Sequence, residues 1–151
     1  MRTVVQRVAH ASVSVPAENY EAGIGAGLMI LAAFEDSDTD ADLEWMAKKL
    51  CALRIFDDAA GVMNLSVMDV GGEILCISQF TLYASTARGN RPSYIRAAKP
   101  AVSEPLYEKF CKVLEEYSGK SVKRGIFGAD MKVSLLNDGP VTIIIDSKTK
   151  E

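Results

Sequence analysis

The chain has 151 residues, 48% hydrophobic and 25% charged, with 17 basic and 20 acidic side chains for a net charge of −3. That balance is globular and of one-domain length, and it excludes a disordered tail, a collagen-like repeat and a disulfide-stapled miniprotein. Cys51, Cys76 and Cys111 are odd in number and widely spaced, which fits reduced core thiols, and the lone His10 excludes a zinc site of two or three histidines within one chain.

No apolar run reaches the ~18 residues of a membrane span, and Arg2, Gln6 and Arg7 break up the first eight positions. The expectation is a cytoplasmic chain with neither span nor secretory leader. Val4, Gln6, Val8, Val13 and Val15 alternate as in a strand over Thr3–Val15, interrupted at Ala9–Ala11. Gly23, Gly25 and Gly27 lack the third spacing of a dinucleotide loop, and an apolar strand, Leu28–Phe34, follows in place of a helix. Thr39, with Asp42 three residues on, opens a helix whose inner face is Leu43, Met46, Ala47, Leu50 and Leu53. Arg54–Phe56 either continues it or begins a strand. Gly71-Gly72, between Val67–Val70 and Glu73–Thr81, predicts a hairpin. Ala84–Pro100 is a long loop, and loops of that length are usually functional. Ser103, Glu104 and Pro105 predict the start of a second helix, ended by Gly119. Three short strands follow, Val122–Phe127, Met131–Leu136 and Val141–Asp146. Asn137–Pro140 is the turn between the last two, and Ser147–Glu151 is a frayed tail. The sum is an α+β fold, one domain over residues 1–151, with a mostly antiparallel sheet and two main helices.

Three stretches hold residues that could carry chemistry. Ser78, Gln79, Phe80 and Thr81 end a buried apolar run, where polar groups need partners or a task. In a regular strand Gln79 and Thr81 share one face and Ser78 takes the other. Either the chain bends there, or one of the three is structural and bonds backbone. Asn137-Asp138-Gly139-Pro140 is strong turn chemistry, and a Gly-Pro bond is open to the cis form at about 0.5–1 kcal/mol. In Gly125–Met131, small residues beside Phe127 and Met131 suggest a wall against which something packs; a bulged edge strand is the alternative. His10 as a base and Cys76 as a nucleophile both lack a partner, and no feature calls for a metal or an organic cofactor.

Charge is unevenly placed. No acid lies between Glu73 and Glu104, while Arg88, Arg91, Arg96 and Lys99 do, with Tyr83 and Tyr94 among them. The stretch is +4, leaving −7 on the rest. A polyanion held at one place suits that pattern, as does ordinary scatter on a solvated loop; salt-dependent binding separates the two.

Ser78–Leu82 and Asn137–Thr142 together resemble the two signature motifs of the D-aminoacyl-tRNA deacylase family. Arg7–Val13, Ile24–Leu28, Leu53–Asp57, Met63–Ser66, Gly89–Pro92 and Gly125–Met131 resemble its other blocks, in order, over essentially the whole chain. Val62 stands where the family pattern has Lys, and Ser85–Arg88 matches loosely. The resemblance implies a barrel-like core and a homodimer with two active sites at the interface. It implies removal of D-amino acids, and of glycine mischarged on tRNA-Ala, from the 3′ end of tRNA, with no DNA or membrane partner. Ser78, Gln79, Phe80 and Thr81 would be catalytic. Gly139 and Pro140 would match the family's Gly-cisPro element, whose carbonyls read the hand of the substrate in the partner's site. Phe127, Gly128, Ala129, Met131 and Asn137 would line the pocket, and Arg88, Arg91, Arg96 and Lys99 would meet tRNA. Two mechanisms stay open: Thr81 Oγ1 as nucleophile, or water activated with help from the 2′-hydroxyl of the terminal adenosine. The scarcity of titratable groups near the motifs favours the second. Two rival readings keep the fold: a dimeric RNA-binding module without catalysis, and a deacylase of relaxed chirality with a trans Gly139-Pro140 bond.

Overall fold

In the computed structural model, which describes residues 1–150, β1 (Arg2–Val15) is the spine of the molecule. It pairs antiparallel with β2 (Tyr20–Ile24), β3 (Gly27–Ala33) and the long β8 (Lys132–Asp146). β6 (Glu73–Ser78) adds parallel to β3, and β7 (Lys123–Arg124) adds parallel to β6. The result is a barrel-like mixed sheet in the order β2-β1-β3-β6-β7, with β8 on β1. A small hairpin, β4 (Phe56–Asp57) with β5 (Met63–Leu65), stands apart.

Period-two alternation divides β3 and β6 between two cores. Leu28, Ile30, Ile74 and Cys76 face α1 (Asp40–Ala52) and α2 (Pro100–Ser118), meeting Met46, Leu50, Phe110 and Leu114. Met29, Leu75 and Ile77 face the other way, onto Val8, Val13 and Ile24. Strands buried on both faces read as unbroken apolar runs, which is why Ile74–Ile77 shows no alternation. Gly27 permits the close approach of β3 to β6, since a Cβ there would lie 1.9 Å from the Glu73 carbonyl oxygen.

Several expectations change. Residues 67–71 are turns, and β6 pairs with β3 instead of a 67–70 strand, so the Gly71-Gly72 hairpin does not form. The diglycine is used for fit: a Cβ on Gly72 would lie 2.9 Å from Val67 Cγ2. α2 starts at Pro100 with Lys99 as its cap, three residues before Ser103, whose hydroxyl donates to the Lys99 carbonyl at 3.1 Å. Arg54–Phe56 begins a strand. The stretch 122–127 holds only a two-residue strand. The two segments predicted on either side of an Asn137–Pro140 turn are one strand, β8, running along the same partner; residues 138–141 bulge out of it opposite Arg7. The start of the predicted tail is anchored: buried Ser147 accepts from the Met1 amino group at 2.8 Å, and Lys148 Nζ meets Asp42 at 2.7 Å. Glu151 lies outside the described residues.

Candidate active site

Apolar burial carries β6 as far as Ile77, and there the chain turns. Gln79 N–H donates to the Ala32 carbonyl at 2.7 Å, closing off the β3 side, and Phe80–Tyr83 winds into a short 3-10 turn. This bend brings two of the three polar side chains, Ser78 and Gln79, to one cavity of about 510 Å³ together with Phe80, and leaves Thr81 out of its lining. Ala32, Ala33 and Phe34 form its floor, with Tyr94, Ala97 and Ala98 on one side and Phe127, Gly128, Ala129, Asp130 and Met131 on the other. Thr81 stands behind the lining, its Oγ1 accepting from Gln79 Nε2 at 2.6 Å. The first amides of a helical turn have no partner within it, which leaves the Phe80 and Thr81 N–H groups available at this edge.

The walls are shaped by small residues. A Cβ on Gly125 would lie 2.2 Å from Met131 Sδ, so Gly125 lets Met131 turn toward the cavity. Phe127 leans on Tyr107, whose hydroxyl donates to the Cys76 carbonyl at 2.8 Å. Phe80, 55% exposed, meets Tyr94 edge-on at 5.1 Å between centroids. Phe127, Gly128, Ala129 and Met131 thus lie along the cavity, in a turn segment rather than a bulged edge strand.

The basic stretch divides. Arg96 stacks on the Tyr83 ring opposite Glu35, and Lys99 caps α2, so both hold the loop in place. Arg88 and Arg91 lie on the exposed tip beyond the Ser85–Ser93 bridge. Arg2 takes a second cation–π contact with Tyr83, 5.0 Å from the centroid, and donates to the Leu82 carbonyl at 3.0 Å. Burial, and then the carboxylates of Asp38, Glu35 and Asp146, push the Tyr83 hydroxyl well up, so it stays protonated. Among the described residues no group of three or more His, Cys, Asp or Glu could hold a metal, and no helix is long and apolar enough to cross a membrane.

The second motif lies elsewhere. Residues 137–141 do not line the cavity. The Gly139-Pro140 bond is cis, and it stands opposite Arg7. Arg7 is five residues, or roughly 17 Å of extended strand, from Arg2, which pairs with Ala33 of the cavity lining. Within its own chain Asn137 does not line the cavity and braces the loop, its Oδ1 accepting from Val141 N–H at 2.8 Å. Sequence reasoning missed Arg7. It is 8% exposed, and it donates to the Asp138 and Ile55 carbonyls, each at 2.7 Å. The signal was an arginine among apolar alternation, which needs partners to be buried. Gly139 admits no side chain, since a Cβ would lie 2.7 Å from Val141 N. His10 is exposed on β1, away from the cavity lining.

Comparison with known proteins places this geometry. A family profile described as D-Tyr-tRNA(Tyr) deacylase matches residues 4–146. D-aminoacyl-tRNA deacylases of Bacteroides thetaiotaomicron and Parabacteroides distasonis are 60% and 58% identical over 151 residues, all of both chains. A solved structure titled c-Myc DNA Unwinding Element Binding Protein superposes with a TM-score of 0.89 at 41% identity, covering 97% of this chain and 98% of that one. A second, titled as a probable eukaryotic D-amino acid tRNA deacylase, shares the fold with a TM-score of 0.83 at 20% identity, covering 95% and 97%.

Proposed function

The chain belongs to the D-Tyr-tRNA(Tyr) deacylase family, hydrolases of D-aminoacyl-tRNA, and from that premise we propose that it works as a homodimer. One copy's Ser78–Thr81 cavity would hold the aminoacyl ester, and the other copy's Gly139-Pro140 backbone would close it. The observation that carries this reading is the separation of the two motifs within one chain. The loop does not line its own cavity, so a second copy is the way to unite them. Exposed Ile144 (69%), Leu136 and Phe80 support it, as large apolar side chains left uncovered around the loop and the cavity mouth.

The division of labour has a physical logic. A pocket that reads side chains by contact discriminates by about 1–3 kcal/mol per group. A backbone wall rejects the L hand by collision, whatever the side chain is, and admits glycine, which has none to collide. On this reading glycyl-tRNA mischarged on tRNA-Ala is also a substrate. The Phe80 and Thr81 N–H groups would receive the developing oxyanion. Thr81 has an amide donor and no base beside it. That supports attack by water, helped by the 2′-hydroxyl of the terminal adenosine, over a Thr81 acyl-enzyme. The exposed Arg88 and Arg91 would meet the tRNA backbone. We read the whole chain as one deacylase domain, since both cores share β3 and β6.

The test is hydrolysis of D-tyrosyl-tRNA and L-tyrosyl-tRNA by the purified protein, with and without EDTA. Loss of the D ester alone, unchanged by EDTA, is expected. Loss of both esters would point to relaxed chirality, and loss of neither, with tRNA still bound, to a binding module.

A further inference from the structure

We propose that Asn137 and Thr142, together with Gln6, are positioning residues for the Gly139-Pro140 loop and set how strictly the L hand is rejected. This rests on the reading above that the loop meets the substrate. Four residues of β8, Asp138–Val141, stand against Arg7 alone in β1, so the loop lacks the ladder that fixes the rest of the strand. Side chains hold it instead.

Val141 N–H donates to Asn137 Oδ1 at 2.8 Å. A backbone amide can only donate, so this bond decides which end of the Asn137 amide faces it. The opposite end, Nδ2, then donates to Thr142 Oγ1 at 3.0 Å and to the Val141 carbonyl at 3.4 Å. The Gln6 amide donates to the same Thr142 hydroxyl at 3.1 Å. Asn137 and Thr142 are the two residues that flank the loop, opposite Val8 and Gln6 in the register. They are thus tied to each other across its mouth and to β1 beside it, while Arg7 holds Asp138 from below. The loop itself is largely exposed, so little apolar packing would restore its position if these bonds were lost. A wall that excludes by collision works only if it does not yield, and a displacement of about 1 Å is enough to open such a site.

The experiment compares hydrolysis of D-tyrosyl-tRNA and L-tyrosyl-tRNA by wild type, Asn137→Ala, Thr142→Val, Asn137→Asp and Gly139→Ala. Asn137→Ala and Thr142→Val are expected to raise L-ester hydrolysis relative to the D ester by about tenfold or more. Asn137→Asp, which still accepts from Val141 and can accept from Thr142, stays near wild type. A gain on the L ester cannot come from misfolding. L-ester hydrolysis at wild-type background in both Asn137→Ala and Thr142→Val overturns the inference, whatever happens to the D ester. Gly139→Ala then shows which claim has failed. If it alone admits the L ester, the loop is the chiral element and only the role of its braces falls. If it too leaves the L ester untouched, the reading of the loop itself falls.

Discussion

At the scale of single residues, the cavity is notable for what surrounds Thr81. Its hydroxyl accepts a 2.6 Å bond from Gln79, stands behind the lining, and has no imidazole near it; His10 is on an exposed part of β1. A hydroxyl so placed is held more than it is activated. Thr81→Ala is therefore expected to keep D-tyrosyl-tRNA hydrolysis within about tenfold of wild type in single-turnover assays. Complete loss with an intact circular-dichroism spectrum would instead make Thr81 the nucleophile. Glycine matters at two points for a different reason. Gly27 and Gly139 each stand where a Cβ would strike backbone, the Glu73 carbonyl in one case and the Val141 nitrogen in the other.

At the scale of elements, the start of α1 is tied to the start of β1 and the end of β8, which lie side by side. Thr39 N–H and hydroxyl donate to Asp42, Lys148 reaches the same carboxylate, and the Met1 amino group meets Asp38. Burial pushes the Asp42 carboxyl up, but the bonds from Lys148, Thr39 and Ser147 together outweigh it and hold it well below the usual carboxylate range. Asp146 is likewise lowered: burial opposes ionisation, and the Lys148 N–H and Arg2 overcome it. A depressed carboxyl stabilises the fold above its unfolded value, about 3.9, and that contribution is lost as pH falls through the folded value. Asp42→Asn should thus lower the melting temperature at pH 7 and flatten its fall between about pH 4 and pH 2, read by calorimetry. An unchanged acid limb would remove Asp42 from that role. Elements with a clean period were legible from the sequence: β1, β3, α1 and the end of α2 at Gly119. What failed was pairing. Gly71-Gly72 has hairpin chemistry, yet parallel burial of β6 between β3 and β7 overrides it. Asn137–Pro140 has turn chemistry, yet β8 resumes along the same partner after it. Ser78–Phe80 and Phe127–Met131 stood out in the sequence as polar groups ending an apolar run and as small residues beside Phe and Met, and the fold was needed to show that they line one cavity. Arg7 was not legible, since its burial depends on carbonyls that only the folded bulge delivers.

At the scale of the whole molecule, the proposed dimer would bring together two motifs that lie apart within one chain. Ile144, opposite Val4 on β1, presents its side chain to solvent on the face that a second copy would cover. Burying a side chain of that kind contributes about 1.5–3 kcal/mol, and a symmetric interface does so twice. Ile144→Asp should yield a monomer by light scattering at concentrations where the wild type is a dimer, and the monomer should no longer distinguish D-tyrosyl-tRNA from L-tyrosyl-tRNA. A monomer that still does so would return the whole site to one chain.

The bulge in β8 has one more consequence. Because Asn137 and Thr142 anchor its two ends, the strand on either side keeps its register independently of what lies between them. A register slip elsewhere in β8 would turn every following side chain to the wrong face. Between those anchors, an inserted or deleted residue would be absorbed locally. The loop is therefore the segment of this sheet in which a change of length would leave the pairing of the flanking strand intact.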